Sequence, residues 1–311
     1  MSDPYSCRFA SAAPRLLGLL LALGLTGCGI VNKMAGNSIA GLMEATSDVW
    51  ESDEDPELVC ESLPFALSTI EGLILRQPGS ERFLLTATKG FTQYAYMCVE
   101  TDAILLEAEE YERSRRQEER ALRLYLRAKR YGIRGLAKKY EGIAEQLSVD
   151  PDGAVAQTTV KDVPLLYWTA ASWGSAISLG KDRPDLIADL PAVIAILRRI
   201  LELDEAFGDG AIHDLFIMIE GLPANMGGSP EKAREHFERA LALNGGGLAS
   251  TYATYATSVM LPEQNRERFE RLVLQALAVD PDRLPSYRLH NLIVQRRARY
   301  MLDHVDDYFV E

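Results

Sequence analysis

An all-α fold, built as an irregular helical-repeat solenoid, is predicted by three observations. Alternating runs of Val, Ile, Thr and aromatics are nearly absent, and no Asn-Gly or Asp-Gly hairpin sits between such runs. Apolar residues instead recur at helical spacing along most of the chain. One helical pattern, with small and aromatic anchors followed by a turn, returns repeatedly toward the C-terminus.

The N-terminus carries a separate signal. Arg8 and Arg15 flank an apolar run from Leu16 to Thr26, which ends in Leu25-Thr26-Gly27-Cys28. That run is shorter than the ~20 apolar residues a bilayer span needs, and it fits a signal-peptide core. A buried core helix would not need a small residue and a cysteine at its end. Residues 1–27 therefore read as a lipoprotein signal peptide, with Cys28 as the new N-terminus and the site of lipidation, palmitate being the expected label. Two or more acyl chains give stable anchoring where one does not. Gly29 stands where Asp would retain an enteric-type lipoprotein at the inner membrane, so the outer membrane is favoured. The expected location is the bacterial envelope, lipid-anchored and facing the periplasm. Residues 28–55 form a lipidated tether closed by Asp53-Glu54-Asp55-Pro56, and residues 56–311 form the helical domain.

Composition narrows the partners. With 33 Lys and Arg against 45 Asp and Glu, the net charge is −12. An acidic surface disfavours DNA, RNA and anionic membrane, which attract clustered cations. No second apolar stretch approaches membrane-spanning length, so the rest of the chain is expected to be soluble.

The helices follow in order. Segments 57–77 and 80–112 predict an antiparallel pair turning near Pro78-Gly79. Cys60 and Cys98 then lie at equal depth, roughly 28 Å from the turn at 1.5 Å per residue. Equal depth permits a cross-hairpin disulfide in an oxidising compartment, and it equally permits two buried thiols. A helix over 116–147 follows, and 148–162 reads as a polar loop. Next come 163–181 with 185–203, 209–222 with 230–243, 248–260 with 263–279, and 286–303. The clearest opens at Ser229-Pro230-Glu231: serine caps, proline suits the first turn and glutamate complements the dipole. The dense mixed charges of 107–120 mark a solvated helix face.

The helix at 230–243 also shows the repeat. Phe269, Val273 and Ala276 take the positions of Ala233, Phe237 and Ala240, and Val193, Leu197 and Ile200 stand in the same relation upstream. The anchors Ile200, Ala240 and Ala276 recur at a spacing near the ~34-residue period of tetratricopeptide repeats. Trp173-Gly174 and Lys89-Gly90 occupy slots comparable to the first-helix signature. The pattern is degenerate, hence a tetratricopeptide-like solenoid of stacked pairs.

No constellation for catalysis stands out. His213, His236, His290 and His304 lie in four separate helical segments, and neither His-Glu-x-x-His nor Cys-x-x-Cys occurs. The clusters Gly227-Gly228 and Gly245-Gly246-Gly247 flank helix ends and form no phosphate loop. The expectation is a non-enzyme without metal, and without cofactor apart from the lipid on Cys28. Two aromatic segments read as binding surface, Tyr167, Trp168 and Trp173 in 165–174 and Tyr94 with Tyr96 in 91–96, because aromatics combine contact area with a polar handle. Helix packing is the competing role for each. Asp209 and His213 form a third candidate, with helix capping and core packing as their alternatives.

With those segments in view, the chain resembles the T-component (TatT) family of tripartite ATP-independent periplasmic (TRAP) transporters. The likeness rests on Thr92-Gln93-Tyr94-Ala95-Tyr96, Val163 through Trp168, Trp173 through Leu179, Gly208 through His213, and Gly227 through Leu241. Arg288-Leu289, Asn291-Leu292 and Gln295 through Ala298 continue it. The resemblance implies a periplasm-facing lipoprotein that associates with the transporter's soluble solute-binding protein, which passes a small organic ligand to a separate permease. It further implies a homo-oligomer with an internal cleft or pore suited to an apolar ligand. The alternative function is a helical-repeat scaffold for envelope or secretion assembly. Replacing Cys28 by Ser is expected to abolish incorporation of labelled palmitate and to leave the precursor uncleaved. A variant labelled and processed like the parent protein would refute the lipidation site.

Overall fold

In the computed structural model, residues 41–42 and 45–310 are described. Cys28, the signal peptide and most of the expected tether lie outside the described residues. A compact unit runs from Thr46 onward. The preceding unit is described only at residues 41, 42 and 45, which are helical.

The described residues are all-helical, with no strand among them. Helix α1 (Pro56–Arg76) opens with Asp55 capping the Leu58 amide at 2.9 Å and proline in the first turn. Val59, Leu63, Leu67, Ile70 and Ile74 form its buried stripe. α2 (Glu81–Tyr94) begins at Ser80, whose hydroxyl accepts from Phe83. Cys60 and Cys98 are joined by a disulfide. Since the bonded residues lie about equally far from the turn at Pro78-Gly79, α1 and the α2 segment run antiparallel. By length and composition α1 is apolar enough to cross a membrane, which corrects the expectation that no second stretch would be. Its buried stripe and its disulfide nonetheless tie it into the helical body.

The expected helix over 80–112 is interrupted. A six-residue π-helical turn, Ala95–Glu100, separates α2 from α3 (Thr101–Leu106). The following helix starts earlier than expected and splits: α4 (Tyr111–Lys139) stops where Gly142 takes a left-handed φ of 74°, and α5 (Ile143–Val149) follows. The expected polar loop contains α6 (Pro151–Ala156) and a 3-10 turn at Val160–Asp162, with Ala154, Val155 and Thr158 buried. α7 (Val163–Leu179) packs so closely on α4 that a Cβ at Gly132 would meet the Thr169 side chain at 2.2 Å. Short α8 (Pro184–Ile187) precedes α9 (Leu190–Asp204). Then come α10 (Phe207–Glu220), α11 (Pro230–Asn244), α12 (Ala249–Tyr255) with a π-helical extension Ala256–Met260, and α13 (Arg266–Leu277). α14 (Arg288–Asp303) and short α15 (Val305–Tyr308) end the chain.

Neighbours in sequence pack on one another, yet α14 also packs on α1 and α3. The last long helix thus returns to the first hairpin. Arg297 makes the main connection. Its guanidinium donates to Thr101 Oγ1 at 2.7 Å, to the Tyr96 carbonyl, and to Glu100 Oε1 at 3.3 Å, and it lies 3.9 Å from the Tyr96 ring centroid. Tyr125 of α4 donates to the other Glu100 oxygen. Arg296 adds a surface pair with Glu57 at 2.7 Å, and Tyr300 accepts from the Ala108 amide. Residues 46–55, assigned to the tether, also touch the body: Glu51 pairs with Lys89 at 2.7 Å, and the Ser52 carbonyl accepts from Arg288.

Arg297→Ala strips Glu100 and the Tyr96 carbonyl of their buried counterpart. It is expected to cost on the order of 3–5 kcal/mol in urea unfolding. Arg297→Lys should recover only part, because an ammonium cannot fork across three acceptors as a guanidinium does. A loss below about 1 kcal/mol, the size of an exposed pair, would contradict this role.

Candidate functional site

The segments that meet in the interior leave a cavity of about 390 Å³. Its lining is largely apolar and comes from six parts of the chain, the first being Glu51 of the segment before α1. The α2 segment and π turn give Lys89, Gln93, Tyr96, Met97 and Glu100. α7 presents Tyr167, Trp168, Ala171, Ser175, Ser178 and Leu179, one face of a helix whose other side holds buried Leu166, Ala170, Trp173 and Ile177. Small residues at 171 and 175 leave the space that larger side chains would fill. α10 gives Phe207, Asp209, Asp214, Leu215 and Met218, and Leu248, Ser250 and Thr254 come from the α12 segment. Tyr287, Leu289 and His290 complete the wall.

Local backbone places several of these groups. The π turn widens the helix at Tyr96, and such turns commonly occur at functional sites. Gly208, Asp209 and Gly210 are all left-handed, at φ 62°, 54° and 83°. Asp209 is therefore not a helix cap, which takes extended backbone; the strained turn presents it to the cavity and to Tyr287. Burial and the Asp209 charge together push the Tyr287 hydroxyl up. Asn291, fully buried on α14, accepts from the Ala249 amide at 2.9 Å and donates to the Gly247 carbonyl at 3.0 Å, fixing the start of α12.

The electrostatics of the lining are uneven. Lys89 is matched by Glu51, which also accepts from Gln93 at 2.7 Å. Glu100 is matched by Arg297. Asp209 and Asp214 have no ion-pair partner among the described residues. Asp214 Oδ2 accepts from Ser250 at 2.7 Å, whereas Oδ1 has no hydrogen-bond partner among the described residues. Burial raises the Asp214 carboxyl to about 6. Burial, with Arg297 assisting, lowers His290 to about 4, so its imidazole is neutral at pH 7. His290 stacks on Tyr96 with centroids 5.6 Å apart. Tyr167 packs on Trp168 at 5.1 Å and on Phe207 at 5.3 Å.

Of the residues singled out in the sequence, the fold brings Tyr96, Tyr167, Trp168 and Asp209 together and sends Tyr94, Trp173 and His213 elsewhere. Tyr94 accepts from Arg120 of α4 at 2.8 Å. Trp173 donates to Asp189 at 3.0 Å beneath the Lys129 ammonium, 3.7 Å from the ring centroid. His213 is buried, with Nδ1 2.8 Å from His236 Nδ1 and Nε2 3.3 Å from Glu205. The lining residues missed include Asp214, Phe207, Tyr287 and His290. Asp214 did leave a trace: a lone carboxylate in the apolar stretch from Ile212 to Ile219. Among the described residues no cluster of His, Cys, Asp and Glu is arranged to hold a metal ion.

An all-helical body folded around an aromatic-lined chamber is the class these features define. The TRAP transporter T-component family profile matches residues 52–309, and the chain belongs to that family. It is a family of transport accessories and not a known enzyme family. The chain is also 29% identical over 271 residues to an uncharacterized protein of Treponema pallidum (strain Nichols), covering 85% of this chain and 83% of that relative.

The Asp214 titration has a definite sign. Its folded value near 6 exceeds the ordinary 3.8, so ionisation opposes folding above pH 6, and the penalty fades as pH falls through 3.8. Asp214→Asn is expected to raise stability at pH 7.5 by on the order of 1–3 kcal/mol. The gain should shrink toward zero by about pH 3.5. Urea unfolding at both pH values measures it, and a gain that does not vary with pH would rule the titration out.

Proposed function

We propose that this protein is a lipid-anchored, periplasm-facing accessory of a TRAP-type transporter that binds the soluble solute-binding protein and holds a small ligand in its cavity. The observation that carries the reading is the cavity itself. A family member in a transport system has no use for a 390 Å³ aromatic-lined chamber in its core unless something occupies it. Stacked helical pairs, read as degenerate tetratricopeptide-like repeats, supply the frame. Cys28 supplies the membrane attachment, with the outer membrane favoured, and a homo-oligomer is the proposed assembly. An acidic surface argues against a nucleic-acid role.

The immobilised lipid-free mature protein is expected to retain a periplasmic solute-binding protein from native periplasm, identified by mass spectrometry. Recovery of secretion or outer-membrane assembly subunits in its place would favour the scaffold alternative and sink the transport reading.

A further inference from the structure

The charges facing the cavity do not balance. Lys89 and Glu51 cancel, as do Glu100 and Arg297. Two carboxylates, Asp209 and Asp214, are left without a cation among the described residues, and both line the cavity. The imidazole of His290 adds no charge near neutral pH. Within the same wall stand Tyr96, Tyr167, Trp168, Phe207 and Tyr287. The Tyr96 ring is already met by Arg297 and His290, whereas the ring faces of Tyr167 and Tyr287 carry the negative potential that recognises ammonium cations. The hydroxyls of Tyr96 and Tyr167 make no hydrogen bond to the described residues, so their acceptor lone pairs remain available to an N–H donor.

Resting on the reading of the cavity as a ligand site, we propose that it selects a cationic amine with an apolar body, its ammonium held between Asp214, the Tyr96 hydroxyl and the Tyr167 side chain. A carboxylate ligand of the same shape would meet two uncompensated negative charges and no free cation. Among the described residues Lys89 alone offers positive charge on the lining, and it is already 2.7 Å from Glu51. A neutral ligand would leave Asp214 as costly as it is in the empty chamber, whereas an ammonium offsets that burial. Asp209, on its left-handed turn beside Tyr287, adds a second attraction for the same sign of charge.

The test uses three probes with one apolar body: 4-phenylbutylamine, 4-phenylbutanol and 4-phenylbutyrate, titrated calorimetrically into the lipid-free mature protein at pH 7.5. The amine is expected to bind at least about tenfold tighter than the carboxylate, with the alcohol between them. Asp214→Asn should abolish the preference for the amine over the alcohol, and its urea stability confirms that the variant folds. Carboxylate binding equal to or tighter than amine binding overturns the charge selection and leaves the cavity reading intact. If none of the three binds, the cavity reading fails and this inference with it.

Discussion

The guanidinium of Arg297 makes the main polar connection between the last long helix and the first hairpin, and the packing of the body depends on it. Helical pairs added end to end bury each face on the next pair, and nothing in that scheme returns the last pair to the first. Here α14 returns, and Arg297 enters the hairpin where the π turn has loosened the ladder at Tyr96. Three acceptors from one short segment converge on one fork-shaped donor, and the charge of Glu100 is met at 3.3 Å. The residue is 7 % exposed, so its charge depends on these partners and not on water. The same side chain lies 3.9 Å from the centroid of the Tyr96 ring that lines the chamber.

That closure explains why the cavity draws on segments so far apart in sequence. Lys89 and His290 face one space although the rest of the helical body lies between them along the chain. A ligand touching Asp214, Tyr96 and His290 would therefore bridge α10, the π turn and α14. Binding energy in such a chamber adds to the stability of closure, because an unfolded or opened chain presents no such set of contacts. The empty chamber bears the opposite cost: Asp214 accepts from Ser250 and has no ion-pair partner among the described residues. A carboxylate retained where it opposes folding is the kind of local inconsistency that marks a site and not a packing solution.

What the sequence made legible was local. Ser229-Pro230 caps and opens α11 as its residue types require, and Ala233, Ala240, Phe269, Val273 and Ala276 are buried where the helical repeat places them. The turn at Pro78-Gly79 set the depth at which Cys60 and Cys98 meet. Direction within an apolar helix was not legible. Helix α7 is buried nearly all round, so no polar face tells Trp168, in the cavity wall, from Trp173, five residues on and bonded to Asp189. The π turns were equally hidden, since they alter hydrogen bonding without altering composition. Closure by Arg297 was hidden most deeply: an arginine in an amphipathic helix reads as solvated until the distant Glu100 is placed beside it.

The motif residues near the C-terminus gain their meaning from that placement. Asn291 holds the opening of α12, Gln295 donates to the Val279 carbonyl at 2.6 Å, where the segment after α13 turns, and Arg297 grips the π turn. On the same helix His290 sits one position before Asn291 and faces the chamber. Successive residues of an α-helix point about 100° apart, so Arg297, two turns after His290, shares its face and both meet the Tyr96 ring, while Asn291 and Gln295 hold the frame from the adjacent face. The frame and the wall are therefore not independent. A substitution that shifts the register of α14 by one residue would break the grip of Arg297 and rotate His290 away from Tyr96 together, which ties the shape of the chamber to the same hydrogen bonds that hold the body closed.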